Sequence, residues 1–87
     1  MKLVILYHPQ GEFSTLTEDF AKNIEKRTSR QIELLSLETA EGSSTASSYD
    51  MVEYPAIMVI RDDGQLVKYW QGINFPVSNE VIGYLNT

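Results

Sequence analysis

The chain has 87 residues, of which 43% are hydrophobic and 22% are charged. This is the composition of one small soluble domain spanning residues 1–87, and it excludes two domains and a disordered segment. Seven Lys and Arg residues are outnumbered by twelve Asp and Glu residues, which gives a net charge of −5. Such a charge disfavours nucleic acid and anionic membrane surfaces as partners.

The sequence contains no cysteine, so it offers no disulfide, no thiolate nucleophile and no cysteine-based zinc site. Its longest apolar run, Leu3–Tyr7, is far shorter than the roughly 20 residues that span a bilayer. No small-residue cleavage site follows that run, as a signal peptide would require. We therefore expect a cytoplasmic location and no membrane contact.

The first half of the chain predicts a strand, a helix and a second strand. The uninterrupted run Lys2–Tyr7 is typical of a strand buried on both faces. Gln31–Leu37 is rich in large aliphatic side chains and predicts the second strand. Between the two, apolar side chains recur at the spacings of an amphipathic helix: Phe13, Leu16, Phe20 and Ile24.

Both ends of this helix carry recognisable signals. Thr15 followed three places later by Glu18 resembles a capping box, and Ser14 is a residue type favoured at the N-cap. Positive charge lies near the other end, where the helix dipole favours it, at Lys26, Arg27 and Arg30. The sequence therefore predicts a helix that begins close to Ser14.

The middle segment, Glu38–Ser48, is poor in large apolar residues and rich in serine. It predicts a solvated face with a weak helix start, and the alternative is a regulatory loop with a phosphorylation or partner site in Ser43–Ser48. Tyr49, Met51 and Val52 predict that this segment ends in a short helix.

The last third predicts a hairpin and a helix. Ala56–Ile60 is the third strand, Asp62-Asp63-Gly64 a tight turn and Gln65–Trp70 the fourth strand. Pro76 suits the first turn of a final helix. Its apolar stripe would be Val77, Val81, Ile82 and Leu85. The predicted order is βαβαββα.

The run Tyr49–Val67 resembles the second half of the thioredoxin fold, in which a helix end carrying a tyrosine leads through a cis-proline into a β-hairpin. Trp70-Gln71-Gly72 and the last helix continue the resemblance, and the opening βαβ unit is in register with it. The resemblance implies an α/β thioredoxin-like fold with a four-stranded mixed sheet flanked by helices. It also implies a cis peptide bond at Tyr54–Pro55, before the third strand.

In redox-active members of this superfamily, a Cys-x-x-Cys pair lies where the first strand gives way to the helix. Counting from the strand end places the pair near Glu12 and Thr15. Counting from Pro9 places it near Gly11 and Ser14. None of these residues carries sulfur, and thiol–disulfide exchange requires a sulfur nucleophile. We therefore expect a redox-inactive member.

The resemblance also implies a binding groove. In thioredoxin-like proteins the residue before the cis-proline offers its backbone N–H and C=O to an extended peptide or to glutathione, and here that residue is Tyr54. The leading hypothesis is a protein- or peptide-binding module that uses Tyr54 and Pro55, with His8, Glu12 and Ser14 on the opposite wall. It predicts no catalytic residue, no cofactor and no metal site.

Two alternatives stay open. A glutathione-binding or glutathione-dependent enzyme would use Ser14 or His8 in place of the cysteine. A structural subunit would dock through the last helix or a sheet edge. His8 is the only histidine, so a metal site or a general base has little support. We interpret Tyr7, Tyr69 and Trp70 as packing residues rather than a ligand-stacking set.

Overall fold

The computed structural model describes residues 1–30, 32–72 and 75–86, and its elements follow the predicted βαβαββα order. The strands are β1 (Lys2–Tyr7), β2 (Glu33–Ser36), β3 (Ala56–Ile60) and β4 (Leu66–Gln71). The helices are α1 (Ser14–Thr28), α2 (Ala40–Ser48) and α3 (Ser78–Leu85). Within these residues, every helix is too short or too polar to cross a membrane.

The four strands form one mixed sheet in the order β2-β1-β3-β4. β1 pairs in parallel with β2 and antiparallel with β3, which in turn pairs antiparallel with β4. The two central strands have the predicted bounds, because helices cover both of their faces and nearly every side chain in them is apolar. β2 is shorter than predicted, and Gln31, at the start of that prediction, lies outside the described residues.

Alternate residues of the central strands enter two separate cores. The α1/α3 face carries Leu3, Ile5, Ile57 and Val59, which pack with Ala21, Ile24, Val81 and Leu85. The α2 face carries Val4, Leu6, Ala56, Met58 and Ile60, which pack with Ala46 and Met51. This division follows from the two-residue repeat of a strand.

The hairpin between β3 and β4 turns at Gly64, which has a φ of 92°. The Gly64 N–H donates to the Arg61 carbonyl oxygen at 2.8 Å, and the positive φ explains the preference for glycine at this position. The predicted turn is confirmed, and β4 begins and ends one residue later than predicted. The peptide bond between Tyr54 and Pro55, just before β3, is cis.

The predicted caps of α1 are wrong. Phe13 occupies the N-cap position without a side-chain cap bond, and Ser14 is the first helical residue. Glu18 is engaged elsewhere, since its carboxylate accepts a hydrogen bond from the Tyr7 hydroxyl. Leu16, predicted to be buried, is 51% exposed because it lies to one side of the buried face of α1, which is formed by Thr17, Ala21 and Ile24.

Two further predictions need correction. The serine-rich segment forms α2, whose N-cap Thr39 accepts a hydrogen bond from the Gly42 N–H at 3.0 Å, and the helix ends before Tyr49. α3 begins at Ser78, so Pro76 precedes it instead of occupying its first turn. Val77, predicted to join the apolar stripe, is the N-cap residue and is 71% exposed.

Candidate functional site

Loops at one end of the sheet form a groove, which we call the Tyr54 groove. It comprises an apolar pocket of about 50 Å³ and an open depression of about 490 Å³, and both are lined by His8 and Tyr54. The other lining residues of the apolar pocket are Tyr7, Gly11, Glu12, Phe13, Thr17 and Pro55. Those of the open depression are Leu37, Ser43, Ala46, Ser47, Asp50, Met51 and Val52.

The strand register explains why these residues meet. Leu6, near the end of β1, lies opposite Ala56, the first residue of β3. Because the two strands are antiparallel, the residues that follow β1 and those that precede β3 emerge at the same edge of the sheet. His8 therefore lies beside Tyr54, although 46 positions separate them in the sequence.

The Tyr54 side chain is held at two points. Its ring meets the His8 ring edge to face, with the centroids 5.6 Å apart and the planes at 84°. Its hydroxyl donates to the Met51 carbonyl oxygen at 2.7 Å. Edge-to-face contacts and hydrogen bonds both restrict rotation, so the tyrosine presents a defined surface to both parts of the groove.

Gln71 positions the loop that leads to Tyr54. Its side-chain oxygen Oε1 accepts hydrogen bonds from the Val52 N–H at 2.8 Å and from the Glu53 N–H at 3.0 Å. The next residue of the chain, Gly72, donates its N–H to the Pro55 carbonyl oxygen at 3.1 Å. Hydrogen bonds with the end of β4 therefore hold the backbone on both sides of Tyr54.

The backbone of Tyr54 differs from that of its neighbours. All five N–H groups from Tyr49 to Glu53 donate to protein oxygens. Within the part of the chain that the structure describes, neither the N–H nor the C=O of Tyr54 has a hydrogen-bond partner. A donor and an acceptor on one residue are what an extended ligand backbone needs for pairing.

Tyr7 lines the apolar pocket, and its hydroxyl donates a hydrogen bond to Glu18 Oε2 at 3.1 Å. Burial raises the pKa of Tyr7 above 10.0, and the hydrogen bond to Glu18 and the charge of its carboxylate raise it further. Tyr7 is therefore protonated at neutral pH and acts as a hydrogen-bond donor. In residues 1–30, 32–72 and 75–86, no group of three acidic or histidine side chains is arranged to hold a metal ion.

Four of the five predicted site residues line the groove, namely His8, Glu12, Tyr54 and Pro55. Ser14 lines neither part of it, and its backbone N–H donates to the Gly11 carbonyl oxygen at 3.2 Å. Sequence reasoning missed Gln71. The hairpin register could have indicated it, because Gln71 lies opposite Ala56 and hence beside Pro55.

The three aromatic residues interpreted as packing residues, Tyr7, Tyr69 and Trp70, have different surroundings. Trp70 meets the ring of Tyr84 edge to face at 5.9 Å, with the Lys68 ammonium 5.7 Å from its centroid. Tyr69 is half exposed on β4, away from the groove. The packing interpretation thus suits Trp70, whereas Tyr7 lines the apolar pocket.

No protein-family model matches the chain, and no curated protein matches it by sequence. Solved structures do match its fold. Thioredoxin 1 from the thermophilic eubacterium Thermosipho africanus superposes with a TM-score of 0.74 at 17% identity, covering 99% of this chain and 91% of that one. Thioredoxin-2 of the malaria parasite, a component of that parasite's protein secretion machinery, gives a TM-score of 0.70 at 18% identity, with 98% and 82% covered.

A third structure, of a malarial protein, superposes with a TM-score of 0.70 at 17% identity and covers 97% of this chain and 91% of its own. At these identities the comparison establishes the fold and no more. The chain has a thioredoxin-like fold, as the resemblance implied, and it contains no cysteine.

Proposed function

We propose that this chain is a thioredoxin-like binding module that holds an extended segment of a protein partner in the Tyr54 groove, without thiol chemistry of its own. The observation that carries the proposal is the backbone of Tyr54, whose N–H and C=O are unpaired within the described residues. An extended segment would pair with both groups as a strand pairs with a sheet edge.

The surroundings of Tyr54 support this mode of binding. The apolar pocket lies directly beside it and has room for one small apolar side chain, while the open depression accepts the chain on the other side. Gln71 and Gly72 hold the flanking backbone, so little conformational entropy remains to be lost on binding. Each backbone hydrogen bond would contribute about 1 kcal/mol net.

The chemistry of the groove favours binding over turnover. Disulfide exchange requires a thiolate, and the chain has none. A glutathione-dependent enzyme receives less support, because only His8 of its two candidate residues lines the groove and Ser14 lines neither part of it. The groove also lacks a Lys or Arg lining residue that would pair with the carboxylates of glutathione, and none of Gln31, Ile73, Asn74 and Thr87, which lie outside the described residues, is basic.

The experiment that tests the proposal uses a displayed library of random peptides, selected on the wild-type chain. The selected peptides are then measured against Tyr54→Asp, which removes the ring contact with His8 and adds a charge. Tyr69→Asp is the matched control, since Tyr69 is half exposed and lies outside the groove. We expect about tenfold weaker binding to Tyr54→Asp, near 1.4 kcal/mol, and an unchanged affinity for Tyr69→Asp.

Backbone amide NMR supplies the direct readout. On addition of a selected peptide, the Tyr54 N–H resonance should shift strongly and its exchange with solvent should slow, because the amide gains a hydrogen bond. Peptides that bind Tyr54→Asp as tightly as wild type, or a Tyr54 amide that does not respond, would contradict the proposal. A binding surface elsewhere on the fold would then be indicated.

A further inference from the structure

The charged residues around the Tyr54 groove are acidic. Glu12 lines the apolar pocket and Asp50 lines the open depression, and both are exposed. Glu53 directly precedes Tyr54 and is also exposed. The carboxylate of Glu18 accepts the hydrogen bond from Tyr7 in the pocket wall. No Lys or Arg is among the described residues that line either part.

The basic residues concentrate at the other end of the sheet. Lys2 begins β1 and lies 3.6 Å from Glu33, and Arg30 donates to the Met1 carbonyl oxygen at 3.0 Å. Arg61 follows β3, whose last residue pairs with Lys2. The Lys and Arg residues at this far end are Lys2, Lys26, Arg27, Arg30 and Arg61.

Distance prevents these cations from neutralising the groove. β1 has six residues, so its two ends are separated by about 17 Å at roughly 3.3 Å per residue. The Debye length at physiological ionic strength is about 8 Å. A ligand in the groove therefore experiences mainly the carboxylates of Glu12 and Asp50, which line it.

We infer that the segment held in the Tyr54 groove is basic, with Lys or Arg side chains on both sides of one small apolar residue. This inference rests on the proposed function. The apolar residue occupies the pocket beside Pro55, one cation approaches Glu12 and the other approaches Asp50 across the His8 and Tyr54 rings. In an extended segment, residues two positions apart point to the same side, so the cations belong two positions before and after the apolar residue.

Charge complementarity excludes the opposite kind of ligand. An acidic segment, or a small molecule with several carboxylates, would bring like charges to Glu12 and Asp50 without a cation for compensation. A basic segment is attracted to the groove from a distance, because the carboxylates around the groove favour positive charge. Its association should weaken as salt is added.

The test again uses the displayed peptide library, now comparing two doubly substituted variants with the same change in net charge. The combination of Glu12→Gln and Asp50→Asn neutralises the groove. The combination of Asp62→Asn and Asp63→Asn neutralises the hairpin turn at the far end, where both side chains are exposed. The measurements are the composition of the selected peptides and their affinities at low and high salt.

We expect wild type to select peptides with Lys or Arg two positions from an apolar residue. These peptides should bind the groove variant about tenfold more weakly and the turn variant within about twofold of wild type. Peptides that lose affinity on Tyr54→Asp but show no basic enrichment would overturn the inference and leave the proposed function standing. Equal losses of peptide affinity in the groove variant and in the turn variant would also overturn the inference. Basic peptides that bind Tyr54→Ala, which removes the ring without adding a carboxylate, as tightly as wild type would overturn the proposed function and this inference together.

Discussion

The two faces of the sheet are equally apolar, yet their helices cover them differently. On the α1/α3 face, two helices place Ile24, Val81 and Leu85 against the strands, all of them fully buried or nearly so. On the α2 face, the one helix buries only Gly42 and Ala46. The strands supply a core on both sides, but only on the first side do the helices themselves contribute large buried side chains.

This difference explains where the groove lies. α2 carries small residues on its inner side and therefore approaches the end of β2 closely. The open depression beside this helix is lined in part by the small or short polar side chains of Ser43, Ser47 and Asp50, which do not fill it. The α1/α3 face stabilises the fold, whereas the α2 face combines a thinner core with a candidate binding surface. Four sets of substitutions test whether the two faces differ in this way.

The largest expected effect compares Ile5→Ala with Leu6→Ala. These neighbours in β1 are both fully buried, but they point to opposite faces. We expect Ile5→Ala to lower the free energy of unfolding by about 4 kcal/mol and Leu6→Ala by about 3 kcal/mol, because the two-helix face has less freedom to collapse around a cavity. Urea unfolding measures both values. An equal or larger loss for Leu6→Ala would show that α2 closes its face as firmly.

Next in size is Gly42→Ala, which tests the close approach of α2. A Cβ at Gly42 would overlap the carbonyl oxygen of Ser36 at the end of β2. Since backbone must shift to relieve the overlap, we expect a loss of about 2 kcal/mol in the free energy of unfolding. Gly83→Ala is the matched control, because a Cβ there meets no atom within 4 Å and should stabilise α3 by about 0.5–1 kcal/mol. A neutral Gly42→Ala would mean that α2 is free to move.

The third prediction concerns Gln71, which supports the loop beside the open depression. Gln71→Ala removes the acceptor of the Val52 and Glu53 N–H groups. We expect a loss of about 1 kcal/mol in the free energy of unfolding, and hydrogen exchange at these two amides should accelerate more than elsewhere. Gln71→Glu keeps an acceptor oxygen and should retain slow exchange. Equal exchange rates in the two variants would show that the side chain does not hold the loop.

The smallest expected effect is that of Tyr7→Phe, which removes the hydroxyl that joins β1 to Glu18 on α1. At neutral pH we expect a loss of about 0.5 kcal/mol, as for an ordinary hydrogen bond. The pKa of Tyr7 is raised above 10.0 in the folded chain, so its contribution to stability is complete below pH 10 and is lost as the pH rises through the folded value. Tyr7→Phe should therefore lose less stability than wild type in alkaline solution.

Thermal unfolding of the two proteins between neutral and alkaline pH measures this dependence. Ultraviolet difference spectra of the wild type and the variant isolate the ionisation of Tyr7 itself. Identical alkaline stability profiles would contradict the assignment, since the raised pKa of Tyr7 requires that its ionisation destabilise the folded chain.

Several features could be predicted from the sequence because they depend on neighbouring residues. β1 and β3 are continuous apolar runs that only a doubly covered strand accommodates, and their bounds are those expected. Gly64 marked the hairpin turn. The start of α1 near Ser14 was predicted correctly, but its capping was not, because Glu18, assigned to a capping box, accepts its hydrogen bond from Tyr7, which lies eleven positions away.

The candidate site, too, could be predicted from the sequence only in part. The resemblance of the run around Tyr54 and Pro55 indicated which loop forms the groove, and the position of His8 after β1 indicated the facing wall. Ser14 was expected there and is absent from it, because α1 begins at that residue and its backbone turns into the helix. Two features were not predicted: the hydrogen bonds to Gln71 that hold the loop before Tyr54, and the carboxylate of Asp50 in the open depression.

The amino-acid sequence alone was enough to predict the order of the elements, the two apolar faces of the central strands and the absence of a thiol, because each depends on local periodicity or composition. The hydrogen bonds of the Val52 and Glu53 N–H groups, and the lack of a partner for the Tyr54 N–H within residues 1–30, 32–72 and 75–86, emerge only when the chain is folded. The physical reason is that these hydrogen bonds join residues 18 and 19 positions apart. Hydrogen bonds between such distant residues depend on the register between strands and on the space that α2 leaves open. Neither can be predicted from a short segment of the sequence.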